Sequence, residues 1–262
     1  MIPRDDVQFG ELTHVGRVRS VNQDALGAWA PQNPRIFALK GRLLVVCDGM
    51  GGGPAGEVAS RVAVETILGS YKAADVDDGV EVALTCAVEE ASAAVFALVQ
   101  EDPALAGMGT TTAVLVHNKD RVTWAHVGDS RVYRLRDGVL RRLTRDHSLV
   151  QKLQDEGKLA AKDVASFAEQ NVILRSVGVR AEVEVETGAD EARVGDAYLL
   201  CSDGLCGYVS DEETERVLNL GLEQGHSPAA MCKQLVDFAN AYGGHDNVTV
   251  QLLVLTAAPA SA

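Results

Sequence analysis

Five short acidic motifs are the residues in this chain best suited to do chemistry. They read Asn22-Gln23-Asp24, Asp48-Gly49-Met50-Gly51-Gly52, Gly128-Asp129-Ser130, Ser202-Asp203-Gly204 and His245-Asp246-Asn247. A lone Asp beside Gly is ordinarily a turn residue. The set is harder to explain that way, because most of its members stand where an apolar run gives out. Leu43 to Cys47 precede Asp48, Val122 to Val127 precede Gly128, and Ala197 to Cys201 precede Ser202. A carboxylate just past a strand end is rigidly held yet outside the packed core. Several brought together would repel one another unless a divalent cation sat between them. A cage of hard oxygen ligands is what Mg²⁺ or Mn²⁺ prefers.

The elements that must position these residues follow from hydrophobic spacing. Arg42 to Cys47 reads as a buried strand. Glu57 to Tyr71 and the Ala-rich stretch Val80 to Gln100 read as helices. Thr110 to His117 and Arg121 to His126 read as strands, and Arg131 to Leu135 and Val139 to Leu143 as a hairpin turning at Asp137-Gly138. Ser148 to Leu159 suggests a short exposed helix. Val172 to Val177, Val183 to Thr187 and Ala197 to Cys201 are further strand candidates. Asp211 to Leu220 and Ser227 to Tyr242 read as helices, and Val248 to Leu255 as a closing strand. Clustered strands between pairs of helices predict an α+β fold, with sheets inside and helices outside.

The bulk composition narrows the function. The 262 residues carry a formal net charge of −13, which argues against a nucleic-acid partner. The five cysteines (Cys47, Cys86, Cys201, Cys206, Cys232) have no zinc-ligand spacing and read as core thiols in a reducing compartment. No signal-peptide core opens the chain, and no apolar run is expected to reach the ~20 residues of a membrane span. The expectation is a cytoplasmic protein with no membrane partner, in which nothing requires more than a monomer.

One rival reading is a dinucleotide site, since Gly51-Gly52-Gly53-Pro54-Ala55-Gly56 follows a strand and precedes a helix. Against it stand the charge of Asp48 before the glycines and the lack of strand–helix alternation downstream. His126, inside a strand, reads as a packing residue, while His147 and His245 flank aspartates and are open to a supporting role. The hairpin arginines Arg131, Arg134, Arg136, Arg141, Arg142 and Arg145 read either as a solvated sheet face or as a basic lip drawing in phosphorylated segments. Arg19, five residues before Asp24, is a residue type suited to bidentate phosphate binding.

In register, seven segments resemble the ordered motif series of the metal-dependent protein phosphatases, the type 2C family in its short bacterial form. They are 16–24 (GRVRSVNQD), 46–52 (VCDGMGG), 107–111 (GMGTT), 127–131 (VGDSR), 143–148 (LTRDHS), 201–205 (CSDGL) and 246–249 (DNVT). The resemblance implies one phosphatase domain over residues 1–256; the low-complexity stretch 257–262 reads as a short disordered tail. It implies a central antiparallel β-sandwich flanked by helix pairs, and a flap over about 146–170. It further implies two or three Mn²⁺ or Mg²⁺ ions. Asp48, Asp203 and Asp246 would hold one, Asp48 and the Gly49 carbonyl would reach a second, Asp24 would act through water, and Asp129 would serve a weaker third. Arg19 would bind phosphate.

The implied activity is hydrolysis of phosphoserine and phosphothreonine in proteins by a metal-bridging hydroxide, opposing a Ser/Thr kinase and acting on it and its targets. Two departures stand out. Met50 takes the place of a His proposed elsewhere in the family as general acid. Gly207 takes the place of an Asp that some members carry four residues beyond the counterpart of Asp203. A regulatory relative that kept the fold without the activity is a second reading, and it predicts lost carboxylates.

Overall fold

The computed structural model describes residues 6–51 and 55–257. The tail from residue 258, and Gly52, Gly53 and Pro54 of the glycine-rich loop, lie outside the described residues.

One sheet joins β1 (Val7–His14), β7 (Arg131–Arg136), β8 (Val139–Arg142), β10 (Ala197–Cys201) and β11 (Val248–Leu255) in the order β1-β11-β10-β7-β8. The other joins β2 (Asp24–Trp29), β3 (Arg42–Met50), β5 (Thr112–Asn118), β6 (Arg121–Val127) and β9 (Glu186–Glu191) in the order β2-β3-β5-β6-β9, with the two-residue β4 (Gly109–Thr110) pairing with β3. Every strand pair among the described residues is antiparallel. That removes the dinucleotide reading, which needs a parallel sheet built from strand–helix–strand units.

The continuous apolar runs reflect strands buried on both faces. Leu43, Val45 and Cys47 of β3 face one core, and Leu44 and Val46 face another. The latter core lies between the sheets, where Leu44, Val46 and Leu115 meet Tyr198, Leu200 and Leu253. Outside the β2–β9 sheet lie α2 (Ala55–Ala73) and α3 (Val80–Glu101), with α1 (Pro34–Lys40) nearby. Outside the other sheet lie the one-turn α5 (Asp203–Cys206), α6 (Asp211–Glu223) and α7 (Pro228–Ala241). The layers are therefore helix, sheet, sheet, helix, as expected.

Several expectations need correction. The strands β1 and β2 and the helix α1 have no counterpart in the sequence reading. Val172 to Val177 forms no strand. It makes only single bridges, of Val177 to Thr110 at the end of the two-residue β4 and of Ile173 to Ser148. The strand expected at 183–187 lies instead at Glu186–Glu191, fixed by its pairing with β6. The flap segment holds α4 (Leu149–Asp155) and a 3-10 turn at Ala161–Ser166. The helix α3 does have the length and composition of a membrane span, contrary to expectation. Its Ala83, Leu84, Ala87, Val88, Ala91 and Val95 instead line the core it shares with α2.

Candidate metal centre

The expected site residues converge at one end of the sandwich. Asp24 opens β2 and lies directly opposite Asp48 of β3 in the antiparallel register. Residues so paired point to the same face, with Cα atoms about 5 Å apart. Gly49 follows, tucked against the start of α2. A Cβ there would fall 2.0 Å from the Gly56 carbonyl oxygen and 2.6 Å from that of Gln23, so no larger residue fits.

The other sheet supplies Asp203 and Asp246. Asp203 is the first residue of α5, immediately after β10, and Asp246 lies two residues before β11. The two loops are clamped together. The Ser202 N–H donates to the Thr249 carbonyl at 3.0 Å, and the Thr249 N–H donates to Ser202 Oγ at 3.0 Å. A Cβ on Gly204 would fall 1.8 Å from the Asn247 carbonyl oxygen, which explains the glycine after Asp203.

Asn247 pins the irregular segment that carries Arg19. Its Nδ2 donates to the carbonyls of Val15 (2.9 Å) and Val21 (3.0 Å), and its Oδ1 accepts from the Gln23 N–H at 2.7 Å. Arg19 thereby reaches Asp246, donating from Nη2 to Oδ2 at 2.8 Å, while its side chain stays half exposed. Asp246 Oδ1 accepts the Asn247 N–H at 2.9 Å.

Electrostatically the cluster is unbalanced. Burial pushes the Asp24 carboxyl up to about 7. Hydrogen bonds from Thr249 and Ser202 pull it down, and Asp203 and Asp246 push it up further. Burial and the charges of Asp203 and Asp24 hold Asp48 well above the usual carboxylate range. Burial raises Asp203 as well, while its hydrogen bond with Asp48 lowers it. Asp129, in the loop after β6, is pushed to about 8 by burial, Asp203 and Asp146, against the pull of Arg131.

Three buried oxygens, Asp24 Oδ1, Asp129 Oδ1 and Asp203 Oδ1, have no hydrogen-bond partner. Buried acceptors without partners are rare and costly, on the order of 1–3 kcal/mol each and more when charged. An all-oxygen donor set with unpaired lone pairs fits hard divalent cations. Asp24, Asp48, the Gly49 carbonyl, Asp203 and Asp246 could hold such ions, with Asp129 at the margin. Met50 is half-buried and carries no transferable proton. Gly207, capping α5, offers no carboxylate.

The sequence reading missed the residues that hold the carboxylates in place. Ser202 Oγ donates to Asp24 Oδ2 at 2.8 Å. The Asp48 N–H donates to Thr111 Oγ1 at 3.1 Å, and Thr110 Oγ1 donates to the Asp48 carbonyl at 2.8 Å. Their signal was adjacency, since each hydroxyl or amide stands within a motif already noticed for its Asp or Gly. Asp146 binds Arg131 through both oxygens, at 3.0 Å to Nε and 2.7 Å to Nη2, and so backs the Asp129 loop.

Five of the six arginines of the expected basic lip pair with aspartates, while Arg141 stays exposed. Arg131 pairs with Asp146, Arg134 with Asp190, Arg136 with Asp196, Arg142 with Asp146, and Arg145 with Asp155. These arginines are partners of structural carboxylates.

Comparison with known proteins agrees with the geometry. The chain matches the family described as Protein phosphatase 2C over residues 13–242. It is 34% identical over 244 residues to the serine/threonine phosphatase Stp of Listeria innocua, covering 92% of this chain and 93% of that one. It is 39% identical over 245 residues to the serine/threonine protein phosphatase PstP of Mycobacterium tuberculosis, covering 93% of this chain and 44% of that longer protein. The structure of a PstP catalytic domain in complex with two manganese ions superposes with a TM-score of 0.81 at 34% identity, covering 96% of this chain and 99% of that one. This chain belongs to the protein phosphatase 2C family of serine/threonine phosphatases.

Proposed function

We propose that this chain hydrolyses phosphoserine and phosphothreonine in proteins, using Mn²⁺ or Mg²⁺ held by Asp48, the Gly49 carbonyl, Asp203 and Asp246. The observation that carries the reading is the convergence of Asp24, Asp48, Asp203 and Asp246 beside Arg19, with buried carboxylate oxygens left unpaired. Two divalent cations there would supply hydroxide near neutral pH from a water they share, and would neutralise phosphoryl charge.

The chain's own residues do the rest. The Arg19 guanidinium is half exposed and touches Asp246 through one nitrogen only, so its remaining N–H groups are free to orient phosphoryl oxygens as charge builds on them. Asp24 is held at Oδ2 by Ser202, which leaves Oδ1 as a fixed acceptor for a proton of the attacking water. With Met50 unable to donate a proton, the departing Ser or Thr oxygen takes one from water. No covalent phosphoenzyme is needed.

All of these groups come from one chain, which supports action as a monomer. A kinase that phosphorylates Ser or Thr must supply the substrate, so the proposed role is to oppose such a kinase. The test is turnover of a phosphothreonine peptide with EDTA, with Mg²⁺ and with Mn²⁺, the Asp203→Asn variant beside the native chain. Turnover that needs metal and vanishes in the variant supports the reading. Equal turnover in EDTA, or in Asp203→Asn, removes it.

A further inference from the structure

A second cluster of metal-ligand side chains lies away from the carboxylate cage, at the base of the flap. His126 of β6 and Glu186 of β9 are directly paired in the antiparallel register and so share a face. His147, delivered by the turn after β8, stacks on His126 with ring centroids 4.5 Å apart and planes 22° apart. One donor atom from each of the three lies within 4.8 Å of the others.

The chemistry of the donors is specific. His126 is fully buried, and its Nε2 lies 2.8 Å from the Arg145 carbonyl. A carbonyl can only accept, so the ring proton sits on Nε2. That leaves Nδ1 as a bare lone pair, buried with no hydrogen-bond partner. A ring whose far N–H is anchored on a backbone carbonyl is the arrangement that orients a metal-binding imidazole. His147 Nε2 lies 3.2 Å from Glu186 Oε2. Glu186 remains partly exposed and leaves a way in for an ion. The nearby Arg175, whose charge opposes a cation, is itself paired with Glu184 at 2.9 Å.

We propose that His126, His147 and Glu186 form a site for a borderline divalent ion of the Zn²⁺ or Co²⁺ class, separate from the Mn²⁺/Mg²⁺ cage. Two imidazoles and one carboxylate, with a fourth position open to water, suit such an ion, whereas Mg²⁺ prefers all-oxygen surroundings.

The site is linked to the loop that carries Asp129. The Gly128 N–H donates to His147 Nδ1 at 3.2 Å, so neutral His147 carries its proton on Nε2, toward Glu186. An ion bound at Nε2 takes that place, the ring proton shifts to Nδ1, and the Gly128 contact is broken. Occupancy therefore releases the Gly128 N–H, one residue before Asp129.

The test is Co²⁺ titration of the metal-free chain in excess Mg²⁺, which fills the carboxylate cage, read by the visible d–d absorption of nitrogen-bound Co²⁺. The expected result is one absorbing equivalent, displaced by Zn²⁺ and still present in Asp203→Asn. Binding should weaken by at least about tenfold in both His126→Gln and Glu186→Gln. Because Glu186 is partly exposed, its variant keeps the test valid even if His126→Gln misfolds. Absence of the absorption in the native chain overturns the site, as does its survival in both variants or its loss in Asp203→Asn. None of these readings depends on phosphatase turnover.

Discussion

Two charged regions of this molecule behave oppositely. At one end of the sandwich, the buried Asp24 and the half-buried Asp48, Asp129 and Asp203 gather with three buried, unpaired oxygens. On the β7–β8 hairpin and the turn after it, all the arginines but the exposed Arg141 are matched to aspartates, and Asp196 accepts two hydrogen bonds from Arg136 at 2.7 Å. The hairpin is neutralised by the fold itself. The carboxylate end is not, and the missing charge has to come from outside the chain. Density of charge did not separate function from structure; compensation of charge did.

The sharpest way to break that contrast is Asp203→Asn. Turnover of a phosphothreonine peptide should fall by at least about a hundredfold, as expected when a group acting in the transition state is lost. The metal-free variant should melt no lower than the native chain, since one repelling carboxylate has gone. A lower melting temperature in EDTA would show that the cluster is compensated after all.

The second test is the pH dependence of the metal-free chain. Asp24 is raised from 3.8 to about 7 in the fold. Between those values the native state binds more protons than the unfolded one, so stability falls as pH rises from about 4 to 8, by a few kcal/mol at most. Urea unfolding in EDTA across that range should show the decline, and saturating Mn²⁺ should abolish it. Stability that rises with pH in EDTA would contradict the uncompensated cluster.

The hairpin gives the complementary experiment. Arg136→Ala leaves the buried Asp196 carboxylate without its strongest donors and should cost about 2 kcal/mol in urea unfolding. Its turnover at saturating metal should equal the native rate. A fall in turnover without a fall in stability would restore the basic-lip reading. The smallest expected effect is that of Arg19→Ala, whose KM for phosphopeptide should rise by about tenfold, ~1.4 kcal/mol, with Mn²⁺ affinity little changed. Equal KM and turnover would remove Arg19 from the site.

Legibility in the sequence followed burial. The strands β3, β10 and β11 carry apolar residues on both faces and announce themselves. Strands β1 and β9 are polar, and β2 is short and interrupted by Gly27. All three exist because a partner strand pairs with them. The glycine in β2 is itself a tertiary requirement, since a Cβ there would fall 2.7 Å from a Val64 methyl and 2.8 Å from one of Leu68. Gly188 of β9 likewise lies against the Trp124 ring, 2.2 Å from where a Cβ would stand. The candidate carboxylates were legible because each stands at or beside the end of a strand, Asp24 and Asp246 at a start and Asp48, Asp129 and Asp203 at a finish. The residues that hold them, Ser202, Thr111 and Asn247, were not, because their partners lie far along the chain: Ser202 bonds Asp24, 178 residues away.

The amino-acid order by itself determined the local chemistry: which carboxylates stand at strand ends, where Asp137 and Gly138 turn the hairpin with positive φ, and which faces of α2 and α3 are apolar. The tertiary structure alone decided which charges are cancelled. Arginines that look like an open basic surface are neutralised by aspartates from distant strands, and a histidine that reads as packing keeps an unpaired nitrogen beside another histidine and a glutamate. The physical reason is that turns and amphipathic faces depend on neighbours along the chain. Coulombic compensation and ligand geometry depend on distance through space, and that is set only when the two sheets close on each other.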